Sequence, residues 1–206
     1  MTAPRIGFLG AGLIARFHAG QLRRSGEPHE IVAVHDPDRE RAEAFAAARG
    51  AVVAAEEAVL DASDVVYVCT WTAEHRRLVE AAAARGLAVF CEKPLAFDAA
   101  GARSMAEVVE AAGVVNQVGL VLRHSPAFAY LRHLVADEAA GRVMSVVFRD
   151  DQYLPVQGQY ASTWRGERDK AGAGTLLEHS IHDLDLLEHC LGPIASVAAR
   201  SANFHG

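Results

Sequence analysis

The strongest constraint on this chain is the rhythm of its first 120 residues, in which short apolar runs alternate with alanine-rich stretches of helical character. RIGFL leads to GLIARFHAGQLRRS, EIVAVHD to DRERAEAFAAARG, and AVVA to a short helix. DVVYVCT then leads to TAEHRRLVEAAAARG, and LAVFCE to DAAGARSMAEVVEAAG and a last strand in VVNQVGLVL. Runs that are apolar on both faces, separated by helices of about 10 to 15 residues, predict an α/β fold whose parallel sheet is covered on both sides. The doubly wound part ends near residue 120, and the first domain is set at 1–122.

After Ser125-Pro126 the pattern changes to a helix (AFAYLRHLVADEA), a strand (VMSVVFRD), a long polar loop, a helix (TLLEHSIHDLDLLEHCLG) and a strand (ASVAAR). This reads as the beginning of an α+β domain over 123–206, with an unfinished sheet, because two strands are too few to stand alone. With 51% hydrophobic and 22% charged residues the chain can bury a core. A net charge of -6 offers no basic stripe for a nucleic acid backbone. Every apolar run is broken before membrane-spanning length, and no secretory signal precedes the first strand. Cys69, Cys91 and Cys190 read as reduced, mostly buried thiols of a cytoplasmic protein.

Gly10-Ala11-Gly12-Leu13-Ile14-Ala15 is GxGxxA placed directly after a strand and at the opening of a helix. Gly10 permits a tight turn, Gly12 lets the backbone approach a pyrophosphate, and Ala15 keeps helix and strand close. The free N–H groups of the helix face the anion. Asp36, 26 positions beyond Gly10, can accept both hydroxyls of an adenosine ribose. A 2'-phosphate would meet like charge from Asp36 and Asp38, so NAD is favoured, while Arg39 keeps NADP possible. The competing reading gives the glycines a purely loop-shaping role and makes Asp36 the cap of the helix beginning near Pro37.

The chain has 18 arginines and only two lysines, Lys93 and Lys170. Lys93 follows a strand end in AVFCEKPL, where an open α/β sheet places its ligands. An arginine keeps its proton, whereas an ammonium in a partly dry pocket can exchange one, so a lysine suits proton transfer. A surface pair with Glu92 is the alternative. Downstream, Glu178, His182 and Asp185 share roughly one face of the helix read over TLLEHSIHDLDLLEHCLG, and a carboxylate there can orient the imidazole and raise its proton affinity. Four alternatives stand beside this: a capping box of Thr175 and Glu178, a simple helical pair of Glu178 and His182, packing roles for His179, His182 or His189, and a metal site from Glu178, His179 and His182.

Taken together, GxGxxA, Asp36, Cys91-Glu92-Lys93-Pro94 and the acid followed by His182 and Asp185 resemble the Gfo/Idh/MocA family of NAD(P)-dependent dehydrogenases, over essentially the whole chain. The resemblance implies a Rossmann domain followed by an α+β domain with an open, mostly antiparallel sheet that mediates homo-oligomerisation. It implies a sugar, cyclitol or polyol substrate, with Lys93 and His182 handling the proton and Glu178 tuning His182. Cofactor contacts are implied for Gly10, Gly12, Leu13, Ile14, Ala15, Asp36, Thr70, Trp71, His75, Glu92 and Lys93. Substrate contacts are implied for Arg123, Trp164, Arg165, His179 and Asp185, with no metal. Glu178 stands where the family pattern has Asp, Ser180 where it has Gly, and Trp71 where many members have Pro. The second domain is expected to be incomplete. A cofactor-binding sensor or truncated non-catalytic homologue, and NAD-dependent glycosidase-like chemistry, are the alternative functions.

Overall fold

The computed structural model describes residues 2–137, 139, 141–151, 163–172 and 174–202. Its strands are β1 (Arg5–Leu9), β2 (Glu30–His35), β3 (Val52–Val53), β4 (Val65–Val68), β5 (Ala88–Cys91) and β6 (Asn116–Val118). All pair in parallel, in the order β3-β2-β1-β4-β5-β6. The connections are α1 (Leu13–Ser25), α2 (Arg39–Arg49), α3 (Glu56–Ala62), α4 (Thr72–Ala84) and α5 (Ala99–Ala112). This is the doubly wound order, which reverses direction between β1 and β4.

The apolar strands work because successive side chains point to opposite faces. Ile6, Phe8 and Val34 enter one core with Ala15, Ala19 and Phe45. Leu9, Ala33, Val66 and Val68 enter the other with Leu60, Leu78, Val79 and Met105. Both faces of the central strands β1, β2, β4 and β5 are therefore covered, as parallel pairing demands, while the short edge strands β3 and β6 stay largely exposed. Helix ends follow side-chain chemistry: Asp38 accepts from Arg41 N at the start of α2, Asp98 accepts from Gly101 N at the start of α5, and Gly50 and Gly113 close the far ends with left-handed backbones. α1 opens at Gly12 with no side-chain cap.

Two units divide the described residues, one reaching to Gly119 and including 163–178, the other holding 120–151 and the residues from His179 onward. The first unit thus contains a 3-10 turn at Thr163–Gly166, α7 (Arg168–Ala171) and α8 (Thr175–Glu178). In the second unit a 3-10 turn at Val121–His124 precedes α6 (Pro126–Ala136), which packs with α9 (Ile181–Leu191).

Three sequence expectations need revision. The run VVNQVGLVL forms only the three residues of β6 before turning into the 3-10 segment. The single helix expected over residues 175–191 is two helices parted by a turn at His179–Ser180. The carbonyl of Glu178 accepts from Lys93 Nζ at 2.5 Å, and His182 N donates to His179 O instead of to Glu178. The premise that Glu178, His182 and Asp185 share one continuous helical face is thereby corrected. Finally, 143–150 and 195–200 carry no strand pairing among the described residues, and Met144, Val147 and Val197 are 87%, 97% and 77% exposed. An isolated extended segment without neighbouring strands has no ladder to complete. Residues 152–162 of the predicted polar loop lie outside the described residues.

Candidate active site at the switch point

At the carboxyl end of β1, Gly10 has φ +96 and donates its N–H to His35 O at 2.7 Å. A Cβ added at Gly10 would sit 2.5 Å from Cys69 O, so the turn presses directly on the segment leaving β4. Only glycine meets both demands. A Cβ at Gly12 would meet nothing within 4 Å, which leaves open space before the uncapped N–H groups of α1. Leu13 and Ile14 are exposed beside it, while Ala15 is fully buried against the sheet.

Asp36 follows β2 with a mostly buried side chain. Its Oδ2 accepts from Ala11 N at 2.8 Å and its Oδ1 from Asp38 N at 2.9 Å. The carboxylate therefore braces the glycine turn, and each oxygen keeps a further lone pair. Asp38, not Asp36, caps α2. Arg41 lies 3.7 Å from Asp36 Oδ1 and 3.1 Å from Asp38 Oδ2, while Arg39 pairs with Glu43. An uncapped helix N-terminus, an open approach at Gly12 and a braced carboxylate fit a dinucleotide, which residues 12–15 could hold at a pyrophosphate and Asp36 at ribose hydroxyls.

On the β4 side, Trp71 occupies the position before α4 and Lys170 Nζ lies 4.5 Å from the centre of its ring. His75, buried on α4, has Nδ1 2.9 Å from Pro94 O and Nε2 3.3 Å from Thr70 O. Its ring joins the loop after β4 to the one after β5. Burial lowers its proton affinity, and the two carbonyls oppose that shift.

β5 ends at Cys91 and delivers Glu92 and Lys93, followed by a cis Lys93–Pro94 bond. Lys93 Nζ donates to Glu178 O and lies 3.9 Å from Glu178 Oε2. Thr72 Oγ1 donates to Glu178 Oε1 at 3.2 Å, Arg165 Nε lies 3.7 Å from Oε2, and the Arg165 guanidinium covers the Trp164 ring at 4.7 Å. Burial holds the Lys93 amine below the usual lysine value, opposed by the charges of Glu178 and Glu92 and aided by Arg165. Burial likewise raises the Glu178 carboxyl, and Lys93 and Arg165 oppose that rise. A partly dry amine beside a carboxylate is equipped to exchange a proton.

Two participants were not singled out from sequence. Thr72 was read only as part of a helix. His18 sits among buried alanines 15 and 19, and a polar ring on the apolar face of α1 was the available signal. Glu92, expected to contact the cofactor, is 6% exposed with both carboxylate oxygens turned inward.

The second unit holds the remaining candidates. Arg123 makes a two-pronged pair with Asp185, its Nε 2.8 and 2.9 Å from the two oxygens. His179 Nε2 lies 3.1 Å from Asp150 Oδ2, and the Asp183 carboxyl is raised by burial and by Asp150. His182 is on α9, its ring centre 6.1 Å from that of His179. Among the described residues no group of three His, Cys, Asp or Glu is arranged to hold a metal, and no helix is long and apolar enough to cross a membrane.

Comparison with known proteins aligns residues 4–120 with the family model described as "Oxidoreductase family, NAD-binding Rossmann fold", and residues 128–206 with the "GFO/IDH/MocA C-terminal domain". The 1,5-anhydro-D-fructose reductase of Ensifer adhaerens is 36% identical over 94% of this chain and 59% of its own length. The inositol 2-dehydrogenase of Rhizobium meliloti is 34% identical over 96% of this chain and 58% of its own. The chain thus spans somewhat over half the length of these curated relatives. The WlbA dehydrogenase from Bordetella pertussis, solved with NADH and UDP-GlcNAcA, superposes with a TM-score of 0.79 at 25% identity, covering 93% of this chain and 59% of that one.

Proposed function

The chain belongs to the Gfo/Idh/MocA family of NAD-binding oxidoreductases, and we propose from this premise that it is a dehydrogenase acting on a hydroxyl of a sugar, cyclitol or related polyol. The observation that carries the reading is the mostly buried Lys93 amine, set beyond β5 in the same unit as the glycine turn and held by Glu178. Bound NAD supplies the hydride acceptor.

The protein's own groups then have separate tasks. Residues Gly10, Gly12, Leu13, Ile14 and Ala15 present backbone donors and a close approach to the pyrophosphate. Asp36 accepts from the ribose, and its charge, with that of Asp38, disfavours a 2'-phosphate. Thr70, Trp71 and His75 shape the β4 side of the crevice. As the C–H electron pair leaves the carbinol carbon, the hydroxyl proton passes to Lys93 or to His182; in the reverse direction the same group returns it. Glu178 biases the Lys93 equilibrium, and Arg123, Trp164, Arg165, His179 and Asp185 are assigned to substrate contact.

The two relatives named for 1,5-anhydro-D-fructose and inositol favour cyclic polyols as the first substrates to assay. A domain boundary at 122/123, a cytoplasmic location and self-association through the second unit belong to the same proposal. The test incubates the protein with NAD and a panel of inositols and anhydro sugars while following NADH formation. Sugar release without net NADH would replace it with the glycosidase-like alternative; tight NAD binding without any turnover would favour a sensor.

A further inference from the structure

Glu92 is a buried carboxylate whose partners all belong to the framework around Lys93. Oε1 lies 2.5 Å from His18 Nε2, with both side chains less than a tenth exposed. Oε2 accepts from the Lys93 backbone N–H at 3.1 Å. On its remaining side stands Gly119, just beyond β6, where an added Cβ would sit 2.9 to 3.0 Å from the carboxylate. The His18 ring is fixed in turn by Phe90 at 4.8 Å and Tyr67 at 5.7 Å between centroids. One side chain therefore links α1, whose first turn forms the cofactor cradle, to the residue that carries the amine. A buried carboxylate held this tightly is costly unless each partner is in place.

We propose that the His18–Glu92 pair is a positioning unit for Lys93, fixing the amine relative to the first helix of the nucleotide site and supplying a negative charge beside it. Glu92 is thus a positioning residue rather than a cofactor contact. The inference rests on the assignment of Lys93 to proton transfer, and deepens it. The charged groups facing the amine are Glu178, Glu92 and Arg165. Glu178 comes from late in the chain, whereas Glu92 directly follows β5 and donates its N–H to Val68 O.

The presence of only two lysines makes the test direct. Reductive methylation with a carbon-13 label places two lysine reporters in the protein, and Lys170→Arg assigns them. In Glu92→Gln the Lys93 resonance is expected to titrate about one pH unit lower than in the unsubstituted protein, because a negative charge beside the amine has gone. In His18→Gln, which retains a donor at the Nε2 position, the titration stays within about 0.3 units. The acid limb of kcat for alcohol oxidation moves with the Lys93 resonance. An unchanged titration in folded Glu92→Gln overturns the proposal. If that variant does not fold, Gly119→Ala, which keeps the charge but crowds the carboxylate, must displace the Lys93 resonance, and a resonance left in place overturns it equally. A titration that moves while Lys93→Ala retains full turnover sustains the positioning role and removes the catalytic one, so the two failures are distinguishable.

Discussion

On the proposed mechanism Lys93 matters as a lysine and not only as a cation. Replacement by alanine is expected to reduce turnover by roughly 10²- to 10⁴-fold while NAD affinity, read by calorimetry, changes little. Lys93→Arg, which keeps the charge but cannot release its proton, should be nearly as inactive. Because burial lowers the proton affinity of the amine, kcat/KM for alcohol oxidation should rise with pH to a plateau reached below the usual lysine range, and carbonyl reduction should fall across the same interval. Removing a negative neighbour by Glu178→Gln lowers that affinity further, so the rising limb moves to lower pH; a limb that moves upward would contradict the assignment. The sequence made the choice of Lys over Arg visible, together with the glycine turn and Asp36. It did not reveal that Glu178 serves Lys93 with both its carbonyl and its carboxylate. That contact spans 85 positions, and no local periodicity encodes it.

Helices and strands were legible where the cause was local. Asp38 and Asp98, each followed by alanine-rich sequence, mark the starts of α2 and α5. Asp38→Ala should cost about 1 kcal/mol in urea unfolding, since it removes the acceptor for Arg41 N. By contrast Arg77→Ala, which breaks exposed pairs with Glu56 and Glu74, should cost less than about 1 kcal/mol. Gly10→Ala should be worse than either, at least about 2 kcal/mol, because it meets an unfavourable backbone region and the Cys69 carbonyl together. Elements whose cause is distant were less readable. The break between α8 and α9 coincides with the Glu178 carbonyl accepting from Lys93, in the other half of the sequence, and helical spacing alone gave one helix too many residues. The segments 143–150 and 195–200 have strand composition, but a strand is a property of a pair, and a single sequence run does not disclose whether its partner is at hand.

At the scale of the molecule, ligand linkage offers the simplest check on the cofactor. NAD at 100 times its dissociation constant should stabilise the fold by about 2.7 kcal/mol, seen as a rise in Tm, and NADP at the same concentration should do less if Asp36 and Asp38 repel its additional phosphate. Asp36→Ser should narrow the gap between the two. The exposed valines and methionine of the second unit predict concentration-dependent association in sedimentation velocity; a monomer at all concentrations would remove self-association from the proposal. The discontinuity of the first unit has another effect, felt before the protein is finished. Roughly 60 residues separate Gly119 from Glu178, and at about 5 to 20 residues per second a ribosome needs several seconds to make them. During that interval the nascent nucleotide fold holds the Lys93 amine without Glu178, and the carbonyl that accepts from it arrives only when the tail of its own unit emerges.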